Sequence, residues 1–182
     1  MTTTGATNRA SLRTLVTGGA GFIGSHLTDR LLAQGRQVVV VDNLSTGRRS
    51  NLPESHEGLT FIESDLGDLI ESIGENGDLG AFDEIYHLAA AVGVQLVMDK
   101  PAEAIETNVT LTAELIKASL TSGPNIAASR VLIASSSEVY GKGVGEVFSE
   151  EDDVVYGPTT VTRWSYAASK ALDEHLALAY HR

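Results

Sequence analysis

The sequence predicts an α/β fold: a doubly wound parallel sheet with helices on both faces. Three observations predict it. Short β-branched runs alternate with segments of helical apolar spacing along the chain. A glycine-rich turn, Gly18-Gly19-Ala20-Gly21-Phe22-Ile23-Gly24, stands between the first run and the first such segment. The run Gln37-Val38-Val39-Val40-Val41-Asp42 is continuously apolar up to its terminal acid, the pattern of a strand covered on both faces. At 182 residues the chain holds one well-buried domain and is too short for two of ordinary size. Residues 1–182 are therefore read as one domain, with 1–11 a flexible N-terminus.

The elements follow in order. A strand over 12–17 ends in the glycine turn. A helix over 22–34 carries Ile23, Leu27, Leu31 and Leu32 at helical intervals, and Gly35 stops it. Strands are expected over 37–42 and 59–63, separated by a polar, turn-rich stretch over 43–53. A short helix over 68–73 and a strand over 84–88 come next. The helix over 102–120 sets Ile105, Val109, Thr112, Ile116 and Leu120 near one face. A fifth strand over 130–135, a Gly-rich then acidic loop over 141–158 and a last helix over 163–180 complete the pattern. Crossovers between such strands are right-handed. A sheet of this kind normally continues beyond the last helix, so a C-terminal substrate region is expected to be missing.

Composition narrows the function classes. With 42% apolar and 20% charged residues, 18 glycines and 4 prolines, the chain is neither disordered nor collagen-like. A net charge of -11 argues against non-specific binding to nucleic acid or to an anionic membrane, though not against small anions. The absence of cysteine excludes disulfides, thiolate catalysis and cysteine metal sites. The first thirteen residues are polar and Thr-rich, unlike a secretory signal. No apolar run approaches the roughly 18 residues needed to span a bilayer. Cytoplasm is the expected compartment.

Gly18, Gly21 and Gly24 follow a strand and open a helix, and Gly19-x-Gly21-x-x-Gly24 fits the dinucleotide fingerprint. The turn must be tight, the backbone must approach a pyrophosphate, and the helix N-terminus offers it free N–H groups. Asp42 ends the second strand 18 residues after Gly24, where a carboxylate accepts the ribose hydroxyls of an adenosine. Its plainer reading is a turn residue before Asn43. A carboxylate there would repel a 2'-phosphate, which favours NAD over NADP; Arg48 and Arg49 nearby are either partners for such a phosphate or an exposed basic turn.

Tyr166 and Lys170 stand four residues apart on the last helix and so share a face. A free phenol titrates near about 10, so a tyrosine base needs a neighbouring positive charge at neutral pH. Tyr-x-x-x-Lys also occurs as an ordinary surface pair. The fifth strand runs into Ser135-Ser136-Ser137-Glu138-Val139-Tyr140-Gly141, and ligands bind beyond the carboxyl ends of such strands. Hydroxyls and a carboxylate at that edge can orient an alcohol and move its proton.

Together these pieces resemble the N-terminal part of the extended short-chain dehydrogenase/reductases that act on nucleotide sugars. The glycine turn, Asp42-Asn43-Leu44-Ser45-Thr46-Gly47, Asp65-Leu66, His87-Leu88-Ala89-Ala90, Thr107-Asn108-Val109, the serine run and Tyr166 to Lys170 occur in the right order. The resemblance implies a Rossmann sheet with NAD as cofactor. It implies cofactor contacts from Gly18, Gly21, Phe22, Ile23, Gly24, Asp42, Asn43, Ser45, Thr46, Gly47, Asp65, Leu66, Leu88, Ala89, Ala90 and Asn108. Ser136 would hydrogen-bond the sugar hydroxyl at C4, Tyr166 would take its proton, and Lys170 would hold the nicotinamide ribose. It also implies a homodimer through the helices 102–120 and 163–180, and a nucleotide-sugar substrate, a UDP-sugar being favoured.

Within the family, Ser137-Glu138 resembles nucleotide-sugar decarboxylases and GDP-mannose 4,6-dehydratases alike, and Arg163-Trp164-x-Tyr166 resembles the decarboxylases acting on UDP-glucuronate. A 4-ketone beside a C6 carboxylate is a β-keto acid and loses CO2 through an enolate, with Glu138 acting near C5. A 4,6-dehydratase and a UDP-glucose 4-epimerase are the alternatives; a non-catalytic NAD-binding module or inactive fragment is the alternative of another class. Metal is not expected: Glu146, Glu150, Glu151, Asp152 and Asp153 read as a solvated loop, and the five histidines show no ligand spacing. His87 reads as a satisfied core residue. Trp164, Ala168, Leu172 and Leu176 form an apolar stripe, read mainly as core and partly as interface.

Overall fold

A computed structural model describes residues 12–75, 82–91, 98–121, 130–143, 145 and 147–182. The N-terminal residues 1–11, Val144 of the glycine-rich stretch and Glu146 of the acidic stretch lie outside the described residues. The chain divides into two compact units, residues 1–89 with 117–132 and residues 90–116 with 133–182.

The first unit carries the sheet. Strands β1 (Arg13–Thr17), β2 (Gln37–Asp42), β3 (Leu59–Glu63), β4 (Glu84–His87) and β5 (Arg130–Ile133) lie in the order β3-β2-β1-β4-β5. β1 pairs in parallel with β2 and β4, and β2 with β3, so that Leu15 lies between Val39 and Ile85. The strand order reverses at β1, the switch point where such sheets bind ligands. Val38 to Val41 are all buried, as their β-branched run predicts. Val16, Leu31, Leu32, Val38, Val40 and Leu52 form one apolar cluster between sheet and helix α1 (Phe22–Ala33). Gly35, with φ +75°, ends α1: its amide bonds to Leu32 and that of Arg36 to Leu31, a Schellman stop. Helix α2 (Leu66–Glu75) is longer than the expected 68–73 at both ends, with Leu66 and Leu69 buried.

The second unit is helical, and here the structure departs from the expected pattern. The helix predicted over 102–120 is α3 (Pro101–Ile105), a π-helical turn over Glu106–Thr110, and α4 (Leu111–Thr121), whose last turn belongs to the first unit. The wider turn accompanies the burial of Asn108, whose side chain is committed to other backbone. Helix α5 (Arg163–His181) buries Ala167, Ser169, Lys170 and Asp173. Ala168 and Leu172 of the predicted stripe are exposed, so that stripe is not the core face. Among the described residues no helix is long and apolar enough to cross a membrane, and no acidic or histidine cluster could hold a metal.

Candidate active site

In the first unit the glycine turn is fixed from several sides. Gly18 has φ +71°, and a Cβ on it would lie 2.7 Å from the amide nitrogen of Ala89, just after β4. A Cβ on Gly24 would meet the Gly18 carbonyl oxygen at 2.2 Å, so α1 packs directly on the turn. At Gly21 only that carbonyl lies near, at 3.2 Å, and the space beyond is open. Gly21 caps α1 without a side chain, no acid occupies the first turn, and Phe22 and Ile23 are exposed. The first amides of α1 therefore face outward with their partial positive charge, as an anion site requires.

Asp42, expected as a ribose acceptor, already receives two backbone amides. Its Oδ2 accepts from the Ala20 amide at 2.9 Å and its Oδ1 from the Leu44 amide at 2.8 Å. The carboxylate braces the turn while each oxygen keeps a further lone pair. Leu44 sits at φ +57°, a conformation that a residue with a side chain adopts only when its surroundings hold it. Asn43 is part of that hold: its Oδ1 accepts from Ser45 N at 3.0 Å, and its Nδ2 donates to Asp65 Oδ1 at 2.7 Å. Arg49 donates to the carbonyls of Leu52, Pro53 and Glu54 and lies over the Phe61 ring, so its guanidinium is already engaged. Buried His87 shares a 2.7 Å hydrogen bond with Thr17, whose hydroxyl oxygen also accepts from Ala89 N; it is a satisfied core residue.

In the second unit the serine run and α5 are tied together. Ser136 caps a 3-10 turn over Ser137–Tyr140, its Oγ accepting from the Glu138 amide at 3.2 Å. Glu138 receives Arg163 Nη2 at 2.9 Å. Ser135 donates to Glu174, and the Tyr156 hydroxyl lies 3.2 Å from the carbonyls of both Val139 and Ala167. The half-buried Tyr166 has no hydrogen-bond partner for its hydroxyl among the described residues. Lys170 is buried and donates to Asp173 at 2.9 Å. Burial pushes the Asp173 carboxyl above its ordinary range, against the opposing pull of Lys170 and Thr112. Asn108, 2% exposed, clamps Ala91 by accepting from its amide at 2.8 Å and donating to its carbonyl at 3.4 Å. Its Nδ2 also reaches Ser169 Oγ, which in turn donates to the Tyr166 carbonyl.

The sequence model of the NAD dependent epimerase/dehydratase family matches residues 14–182. The chain belongs to this family. A UDP-N-acetyl-alpha-D-glucosaminuronate decarboxylase of Bacillus cytotoxicus is 41% identical over 92% of this chain and 50% of its own. A UDP-N-acetylglucosamine 4-epimerase from Methanobrevibacter ruminantium M1, solved with UDP-N-acetylmuramic acid, superposes with a TM-score of 0.78 and 32% identity, over 94% of this chain and 51% of its own. The UDP-glucose 4-epimerase of Thermus thermophilus, solved with NAD, gives 0.71 and 33%, over 93% and 50%. The chain thus spans about half the length of these proteins.

As in this epimerase/dehydratase family, the cofactor is NAD, and the first unit fits it: open amides beyond Gly21, a carboxylate ending β2, and no free guanidinium at Arg49. The expected cofactor residues Gly18 to Gly24, Asp42, Leu88 and Ala89 follow the carboxyl ends of β1, β2 and β4. Asp65 and Leu66 follow β3; Ser45 and Thr46 are exposed on the turn, and Gly47 backs onto Asp42. Ala90 and Asn108 fall in the second unit with Ser136, Ser137, Glu138, Tyr166 and Lys170. Sequence reasoning missed Asp173 and Ser169. The available signal was spacing: an acid three residues after Lys170 shares its helical face.

Proposed function

We propose that this epimerase/dehydratase family member decarboxylates a UDP-hexuronate, UDP-glucuronate or its 2-acetamido analogue, after oxidising C4. The supporting observation is the Glu138–Arg163 ion pair, 2.9 Å long, which joins the two residues on which the resemblance to the decarboxylases rests. The similarity to a uronate decarboxylase supports it from another side.

NAD, when bound, accepts the hydride from C4 and can return it after CO2 has left. Tyr166 takes the C4 hydroxyl proton, and its hydroxyl, without a partner among the described residues, is available for that bond. Ser136 orients the same hydroxyl. Lys170, four residues on along the same helical face, binds ribose. Glu138 serves the proton at C5 as the enolate collapses, and Arg163 exchanges Glu138 for the substrate carboxylate. Asp42 accepts the adenosine ribose hydroxyls. The protein assembles as a homodimer through the segments 102–120 and 163–180, a reading supported by exposed Ile105, Leu172 and Leu178 of the second unit.

Incubation with each UDP-uronate and NAD, with CO2 and UDP-pentose measured together, tests this. Release of CO2 with a UDP-pentose supports it. Oxidised cofactor turnover without CO2 removes it in favour of 4-epimerisation, the second reading, which the likeness to solved 4-epimerases supports. The chain spans about half the length of the relatives it matches. NAD binding and turnover are therefore separate expectations.

A further inference from the structure

A buried ammonium requires a counter-ion or gives up its proton. The side chain of Lys170 is 3% exposed and that of Asp173 1%, with Nζ and Oδ2 2.9 Å apart. This is the one hydrogen bond of Nζ among the described residues, so two of its three N–H groups are unspent. Asp173 is half committed in the same way. Its Oδ2 receives Lys170, and its Oδ1 has no hydrogen-bond partner among the described residues. Thr112, on the facing helix, acts on the carboxylate by a side-chain hydrogen bond, and its hydroxyl also reaches the Asn108 carbonyl at 2.5 Å. Among the described residues, Lys170 on its own helix is the one charged group that acts on Asp173; from α4 only the Thr112 hydroxyl does.

Burying such a pair costs more than burying two apolar side chains of the same volume, so stability alone gives a weak reason for it. The unspent N–H groups give a better one. Resting on the reading of Lys170 as the residue that grips the dinucleotide, we propose that Asp173 is its positioning residue. It holds the ammonium charged and pinned before the ligand arrives, and leaves two N–H groups for the ribose hydroxyls. Without the carboxylate, the Lys170 ammonium loses its counter-ion and its four-carbon stem loses its anchor.

The test observes Lys170 directly. In the full chain with 15N-labelled lysine, the side-chain ammonium signal is assigned by its loss in Lys170→Arg. In Asp173→Asn that signal moves away from its wild-type position or broadens, and NAD affinity falls on the order of tenfold or more. Asp173→Ser, which leaves room for a water, serves in case Asp173→Asn does not fold. The same ammonium signal in variant and wild type, or unchanged NAD affinity, overturns the inference. If the wild type binds no NAD, the reading beneath falls and the positioning role with it. NAD binding indifferent to Asp173→Asn overturns this inference alone.

Discussion

The carboxylate of Asp42 accepts a hydrogen bond from the amide of Ala20 at 2.9 Å, joining the end of β2 to the glycine turn. The opposite side of Ala20 is also held: its carbonyl accepts from Arg48 N at 3.1 Å and Asn51 Nδ2 at 2.8 Å. One carboxylate thus supports the turn that meets the pyrophosphate and faces the ribose in the proposed complex. Asp42→Ala is expected to lose about 2 kcal/mol or more of stability, since bonds to a charged acceptor contribute about 1.5–3 kcal/mol each. Urea denaturation measures that loss. Asp42→Asn keeps an acceptor and should fold, while NAD affinity drops; an unchanged affinity removes the ribose role.

Gly18 and Gly21 should fail differently. Alanine at Gly18 meets the Ala89 amide at 2.7 Å and takes a left-handed backbone, so Gly18→Ala should lower stability by about 1–3 kcal/mol, read as a lower melting temperature. Alanine at Gly21 meets only one carbonyl at 3.2 Å. Gly21→Ala should melt near the wild type and bind NAD much more weakly, because its methyl stands in the space left for pyrophosphate. Calorimetric titration of both variants with NAD separates the two effects.

The Glu138–Arg163 pair is half in water, its side chains 41% and 57% exposed. Exposed pairs contribute about 0–1 kcal/mol, so Arg163→Ala should leave the melting temperature nearly unchanged. Its effect belongs to the substrate: KM for the UDP-uronate rises. Glu138→Gln should reduce CO2 release on the order of a hundredfold, while the first rise of NADH absorbance persists. Equal loss of both signals would place Glu138 in the oxidation step instead.

Asp173 gives a pH signature. Burial raises its carboxyl above the ordinary value. The folded state therefore binds that proton more tightly than the unfolded state does. Stability from this group is present at low pH and is lost as pH rises from the unfolded pKa of about 3.9 through the raised folded value. The carboxamide of the Asp173→Asn variant does not titrate. The melting temperature of that variant minus that of the wild type should accordingly shift upward as pH climbs through that window. A difference independent of pH would contradict the raised carboxyl.

Much of the first unit is legible in the sequence because a parallel strand buried on both faces demands an unbroken apolar run, and Val38 to Val41 supply one. Gly35 and the glycine turn are local signals and lie where the pattern puts them. The π turn is not legible. Ile105, Val109, Thr112 and Ile116 keep ordinary helical spacing, while the interruption is tied to Asn108 and its bonds to Ala91, seventeen residues away. The buried face of α5 is hidden for a related reason. Hydropathy points to Leu172, but the interior there is polar: Lys170 pairs with Asp173, and Ser169 with Asn108. The partnership of Glu138 with Arg163, across 25 residues, is likewise a tertiary fact between two residues that sequence singles out separately.

The central claim is that Tyr166 removes the C4 proton while NAD takes the hydride. The most direct measurement is absorbance at the reduced-nicotinamide band after mixing the NAD-loaded protein with a UDP-uronate. The wild type should form reduced cofactor, and Tyr166→Phe should do so slower by about a hundredfold or more with NAD binding retained. Equal rates in the two proteins would contradict the account.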